Sequence, residues 1–229
     1  MKTAASQKSL PHRWRLAAAA LSLSWLASLT LIGGCDALRP VVSTNPNFYV
    51  LSGTSNTTMP AQSGPRAAVN APTLIVSPPH AAAGFDNRRI MYIRHADQLE
   101  YFAHNEWIDT PARMLAPLIV AAVERSGAFR AVVQTPSPAA GEMRLDIEIL
   151  RLQHEFLSTP SQVRFTLRAY LVERVTRRVI ASREFDVVVP AASEDAYGGV
   201  VAANRAVQTV LENLSAFCAE AVRSTPLGK

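Results

Sequence analysis

Cys35 is the residue whose type and setting most directly specify chemistry. It closes the run Leu31-Ile32-Gly33-Gly34-Cys35, in which two glycines leave an extended, uncluttered backbone ahead of a nucleophilic sulfur. That pattern suits acylation of the thiol, cleavage of the chain before Cys35 and acylation of the amine so exposed. The other cysteine, Cys218, falls on an apolar helical stripe, where a small buried hydrophobe is expected. Two cysteines do not make a disulfide framework. His95 with Asp97, and His104 with Glu106, are short polar pairs, but a metal centre needs three or four convergent donors. No metal site, cofactor or catalytic residue is expected, since Gly-x-Ser-x-Gly, His-Glu-x-x-His, Walker and Gly-x-Gly-x-x-Gly patterns are all missing from the sequence.

The elements before Cys35 suit the same chemistry. A basic head ends at Arg15, an apolar run covers residues 16–32, and small residues precede the cysteine. This is the order of a secretory signal peptide, here residues 1–34, with a lipobox at its end. A transmembrane anchor is the alternative, because 17 apolar residues sit at the lower edge of what crosses roughly 30 Å of hydrocarbon. Two or three acyl chains, at about 0.8 kcal/mol per buried methylene, hold a soluble domain on a bilayer stably. Asp36, next to the lipidated position, resembles an inner-membrane retention signal.

Composition bounds the rest. The chain has 229 residues, 48% hydrophobic, 18% charged and 7% aromatic, which fits one globular domain with extensions. Of 23 basic residues, Lys2, Lys8, Arg13 and Arg15 leave with the signal, so 19 remain against 18 acidic ones, a net charge of +1. So nearly neutral a product lacks the field that holds a polyanion, and nucleic acid is not an expected partner.

Residues 35–71 read as a lipid-anchored tether rich in Ser, Thr, Asn, Pro and Gly, carrying a short first strand near residues 47–52. The domain proper runs over residues 72–223, or about 45–223 with that strand, and residues 224–229 form a disordered tail. Residues 73–76 and 88–94 read as strands with a turn at 84–87 between them, and residues 98–103 as an edge strand. Thr110-Pro111 opens a helix with a capping hydroxyl, its stripe is Met114, Leu115, Leu118, Ile119, Ala122 and Val123, and Gly127 terminates it.

Met143, Leu145, Ile147 and Ile149 alternate with charged residues, and two further alternating runs follow, from Val163 and from Val179. They predict an antiparallel meander with one face against helices. A second helix starts near Ser193, with a stripe through Val200, Asn204, Val207, Leu211, Leu214, Cys218 and Ala221. The fold class is α/β of the α+β type: a mixed or mostly antiparallel sheet with two main helices packed on one face.

Two groups of side chains suit a partner interface. Arg164, Arg168, Arg174, Arg177, Arg178 and Arg183 concentrate positive charge, either as a solvated face paired with Glu173, Glu184 and Asp186 or as a docking surface for protein or anionic headgroups. Tyr92, Tyr101, Phe102 and Trp107 concentrate aromatic area, and those left exposed are candidate anchors.

The chain resembles the ABC-type transport auxiliary lipoprotein component family, which includes the PqiC-like lipoproteins of MCE (mammalian cell entry) transport systems. The resemblance is carried by Cys35, the Phe48-Tyr49-Val50-Leu51 strand, Gly84-Phe85-Asp86-Asn87-Arg88-Arg89-Ile90-Met91-Tyr92 and Gln98-Leu99-Glu100-Tyr101-Phe102. Trp107, Pro111-Ala112-Arg113-Met114-Leu115, Ser182-Arg183-Glu184-Phe185 and Ala202-Ala203-Asn204-Arg205-Ala206 complete it. It implies a fold like the amino-terminal domain of TolB and a non-enzymatic, membrane-anchored role beside an MCE-domain periplasmic protein and an ABC permease and ATPase, moving lipids or other hydrophobic compounds. It also implies a periplasm-facing place in the bacterial envelope, at the outer membrane, whereas Asp36 points to the inner one. An envelope lipoprotein that docks on and regulates a peptidoglycan synthase is the alternative, and a periplasmic hydrolase a third reading.

Overall fold

Apolar alternation in this chain becomes strand, and its two 3.6-residue stripes become helix. The computed structural model describes residues 45–52 and 70–224. Cys35, Asp36, the signal peptide, most of the tether and residues 225–229 lie outside the described residues. The strands are β1 (Asn47–Tyr49), β2 (Thr73–Val76), β3 (His80–Ala81), β4 (Arg89–Ile93), β5 (Leu99–Trp107), β6 (Ala131–Gln134), β7 (Met143–Glu155), β8 (Gln162–Glu173) and β9 (Val179–Pro190). The helices are α1 (Pro111–Arg125) and α2 (Ala196–Ser224).

All nine described strands belong to one mixed sheet organised on β7. One edge of β7 pairs with β8, and β8 with β9, as the antiparallel meander the alternation predicts. The other edge is shared by β2, β3 and β4, which follow one another parallel to it: Leu74 faces Met143, His80 faces Glu148 and Tyr92 faces His154. The chain thus makes one extended course beside β7, broken twice. Pro78 and Pro79 have no N–H to give a ladder, and the turn before β4 holds Gly84 at φ +94°, a conformation glycine adopts without strain. Beyond β2 lies β6, and beyond β4 lie β5 and then β1.

The structure corrects several sequence expectations. The first strand is three residues long and ends at Tyr49, after which Asn204 of α2 takes over the chain. Asn204 accepts the Ser52 N–H at 2.7 Å and donates to the Val50 carbonyl at 3.2 Å, which explains a polar residue on the α2 stripe. The expected edge strand is nine residues long and internal, lying between β4 and β1. Thr110 precedes α1 in extended conformation but caps nothing with its hydroxyl. α2 begins at Ala196, and Asp195 caps it by accepting the Gly198 N–H at 2.7 Å. It continues through Ser224, the first residue assigned to the tail. Strands β3 and β6 carry no alternation long enough to have been read.

The core lies between the helices and one face of the sheet. Met143, Leu145, Ile147 and Ile149 of β7, and Val163, Phe165, Leu167, Ala169 and Leu171 of β8, are buried there with the α1 and α2 stripes. Burying a side chain of this size stabilises by about 1.5–3 kcal/mol, so this face dominates folding.

Candidate functional site

The opposite face of the meander carries the arginines. Arg164 and Arg168 are four residues apart on the central strand β8, so they project to the same side, and the ladder decides what flanks them. Arg164 reaches Glu155 of β7 at 3.2 Å and Asp186 of β9 at 2.7 Å. Arg168 reaches Glu148 of β7 at 3.6 Å and Glu184 of β9 at 2.8 Å, and the hydrogen bonds it donates to Glu184 and Tyr170 raise its pKa. Each guanidinium is thus held between two carboxylates. Around these two arginines there is no positive excess to offer an anionic headgroup.

Arg183 belongs elsewhere. It faces the helix side of the sheet, pairs with Glu220 at 3.5 Å and lies over the Phe217 ring at 4.9 Å. The three arginines proposed together as an interface are therefore not one surface.

The aromatic group also divides. Trp107 is 3% exposed and sits in the core, so its area is spent on folding. Tyr92 is buried too: its ring packs against Phe102 at 4.6 Å and Phe156 at 5.8 Å, and its hydroxyl donates to Glu100 at 3.0 Å. Burial, with that hydrogen bond, raises the phenol pKa. Tyr101 is 46% exposed, with the Arg89 guanidinium stacked 4.0 Å from its ring centroid. Arg88 lies 5.3 Å over Phe48, which is itself exposed. Tyr101 is thus left exposed with Arg89 on its ring, and Phe48 with Arg88 on its own.

Sequence reasoning missed one polar cluster. A register shift after Ile149 turns His154 toward the helices, where its Nε2 meets the Ser161 hydroxyl at 2.8 Å. Glu194 accepts the Ser161 N–H at 2.9 Å. The other ring nitrogen, Nδ1, is buried and has no hydrogen-bond partner. Burial holds the His154 pKa below its ordinary value, against the opposing pull of Glu194 and Asp195.

A serine beside an imidazole suggests nucleophilic catalysis, which also needs access and an acid on the far nitrogen. Here Ser161 has no exposed surface, and the far nitrogen faces Gly199. The adjoining cavity, bounded by Ile90, Trp107, Leu152, His154 and Gly199, holds about 10 Å³, space for roughly one water. The cluster is a structural lock between the β7–β8 connection and the start of α2.

Cys218 has no exposed surface, and burial pushes its thiol up to about 12, so it is no nucleophile at neutral pH. His95, Asp97 and His104 are exposed. Among the described residues no group of three or more His, Cys, Asp or Glu could hold a metal ion, and no helix is long and apolar enough to cross a membrane.

Against known proteins, the model of the ABC-type transport auxiliary lipoprotein component family matches residues 49–215. The chain belongs to that family. No curated protein sequence matches it. Among solved structures, a protein from Xanthomonas campestris is 24% identical with a TM-score of 0.62, the match covering 69% of this chain and 91% of that one. An uncharacterised protein is 12% identical with a TM-score of 0.58, covering 76% of this chain and 99% of that one. At these identities the likeness is one of fold: an open mixed sheet with two helices.

Proposed function

We propose that this chain is a lipid-anchored, non-enzymatic auxiliary subunit of an ABC transport system of the MCE type, handling lipids or other hydrophobic compounds. The family match over residues 49–215 carries the reading. Lipidation of Cys35 tethers the domain to an envelope membrane, facing the periplasm, and the domain binds the MCE-domain protein or the permease. The exposed pairs Tyr101 with Arg89 and Phe48 with Arg88 suit such contact, since each stacked guanidinium presents flat apolar area and charge together. Buried Ser161, His154 and Cys218 are consistent with a binding role.

The test is affinity recovery of the tagged full chain from crosslinked, detergent-solubilised envelopes, beside a Cys35→Ala control. Enrichment of an MCE-domain protein, permease or ATPase with the wild type supports the reading. Recovery of a peptidoglycan synthase with no transport component would replace it by the docking-regulator alternative.

A further inference from the structure

The six arginines of the β8–β9 region part company in their surroundings. Arg164, Arg168 and Arg183 are paired with carboxylates. Arg174, Arg177 and Arg178 make up the tip of the β8–β9 hairpin, and among the described residues none of them forms an ion pair. Arg174 donates to the Gly141 carbonyl at 3.2 Å, and the tip's own carboxylate, Glu173, is engaged by the Thr176 hydroxyl. Between these cations stands Val175, 89% exposed. Arg177 has φ +58°, a left-handed conformation that a tight turn ordinarily gives to Gly or Asn. A glycine would hold this turn without strain, so the arginine side chain sits there at a conformational cost.

We propose that this hairpin tip is the contact by which the domain engages an acidic surface on a protein of its transport assembly, with Val175 as the apolar centre and three guanidiniums around it. The partner's identity rests on the transport reading above. Charge complementarity carries the choice of chemistry: residues 173–178 hold three arginines against one glutamate, on a chain that is otherwise balanced. The tip lies beyond the Met143 end of β7, where Arg174 donates its N–H to the Glu142 carbonyl.

The experiment uses the full-length chain in the parent bacterium. A photoreactive benzoylphenylalanine in place of Val175 is expected to crosslink to the MCE-domain protein or the permease. The charge reversal R174E/R177E/R178E is expected to lower recovery of that protein by at least about tenfold, and R177G, which relieves the left-handed strain, to lower it while leaving thermal unfolding no worse. Undiminished recovery with the reversal and with R177G would overturn the hairpin contact and leave the transport reading standing. Crosslinks to phospholipid alone would overturn it in favour of a membrane contact. Failure of the wild type to recover any transport component would remove both.

Discussion

His154 and Gly199 are fitted to each other: a Cβ placed on Gly199 would lie 2.5 Å from the imidazole Nδ1 and 3.1 Å from Cε1. The ring cannot easily yield, because Phe156 packs on it at 4.1 Å and Ser161 holds its other nitrogen. In an ordinary helix Gly→Ala gains about 1 kcal/mol. Here Gly199→Ala should instead destabilise by about 1–3 kcal/mol, the usual cost of overpacking. Urea unfolding of G199A, H154A and the double variant checks this, since in the H154A background the alanine should cost less. An equal cost in both backgrounds would show that the ring is not what the methyl strikes.

The same burial makes stability depend on pH. The folded pKa of His154 lies below 6.5, so above that value both folded and unfolded chains hold it neutral and it contributes no slope. As pH falls through 6.5 the unfolded chain takes up the proton first, and the folded state loses stability until the folded pKa is passed. Glu194 and Asp195, whose pKa values are lowered chiefly by the N–H donors of Ser161 and Gly198, add their own loss as pH falls below 4.5 and 3.8. His154→Gln should flatten the stability profile between pH 6.5 and 5 relative to the wild type. Parallel profiles for the two proteins would rule the histidine out as a source of that slope.

What was legible in the sequence was periodicity. Met143 to Ile149 alternate cleanly because one face is dry and the other wet, and the α1 and α2 stripes survive for the same reason. β5 was only half visible, since Glu100, His104, Asn105 and Glu106 interrupt any pattern, and β6 is too short to show one. The charge state of the outer face was not legible at all. Glu148 and Glu184 stand 20 and 16 residues from Arg168 in sequence, and only the ladder registers bring both beside it. Trp107 and Tyr101 are likewise similar in composition terms, and only packing tells the core residue from the exposed one. The family came through resemblance, since no catalytic spacing pointed to it.

The carboxylates flanking Arg164 and Arg168 should differ in worth. Glu155 is 5% exposed and accepts from Gln153 at 2.9 Å, Gln162 at 3.2 Å and Arg164 at 3.2 Å. Glu155→Ala leaves the buried Gln153 amide without that acceptor and should cost about 1–3 kcal/mol. Glu184 pairs with Arg168 at the surface, where such bridges are worth less than about 1 kcal/mol, and Glu184→Ala should cost no more than that. Glu155→Gln keeps an acceptor oxygen for Gln153 and should fall between. Urea midpoints measured at low and high salt separate the contributions, because screening weakens the Glu184 pair far more than the buried hydrogen bonds. If Glu155→Ala and Glu184→Ala lose the same amount with the same salt dependence, the outer face is a uniform solvated ladder and Glu155 is not its anchor.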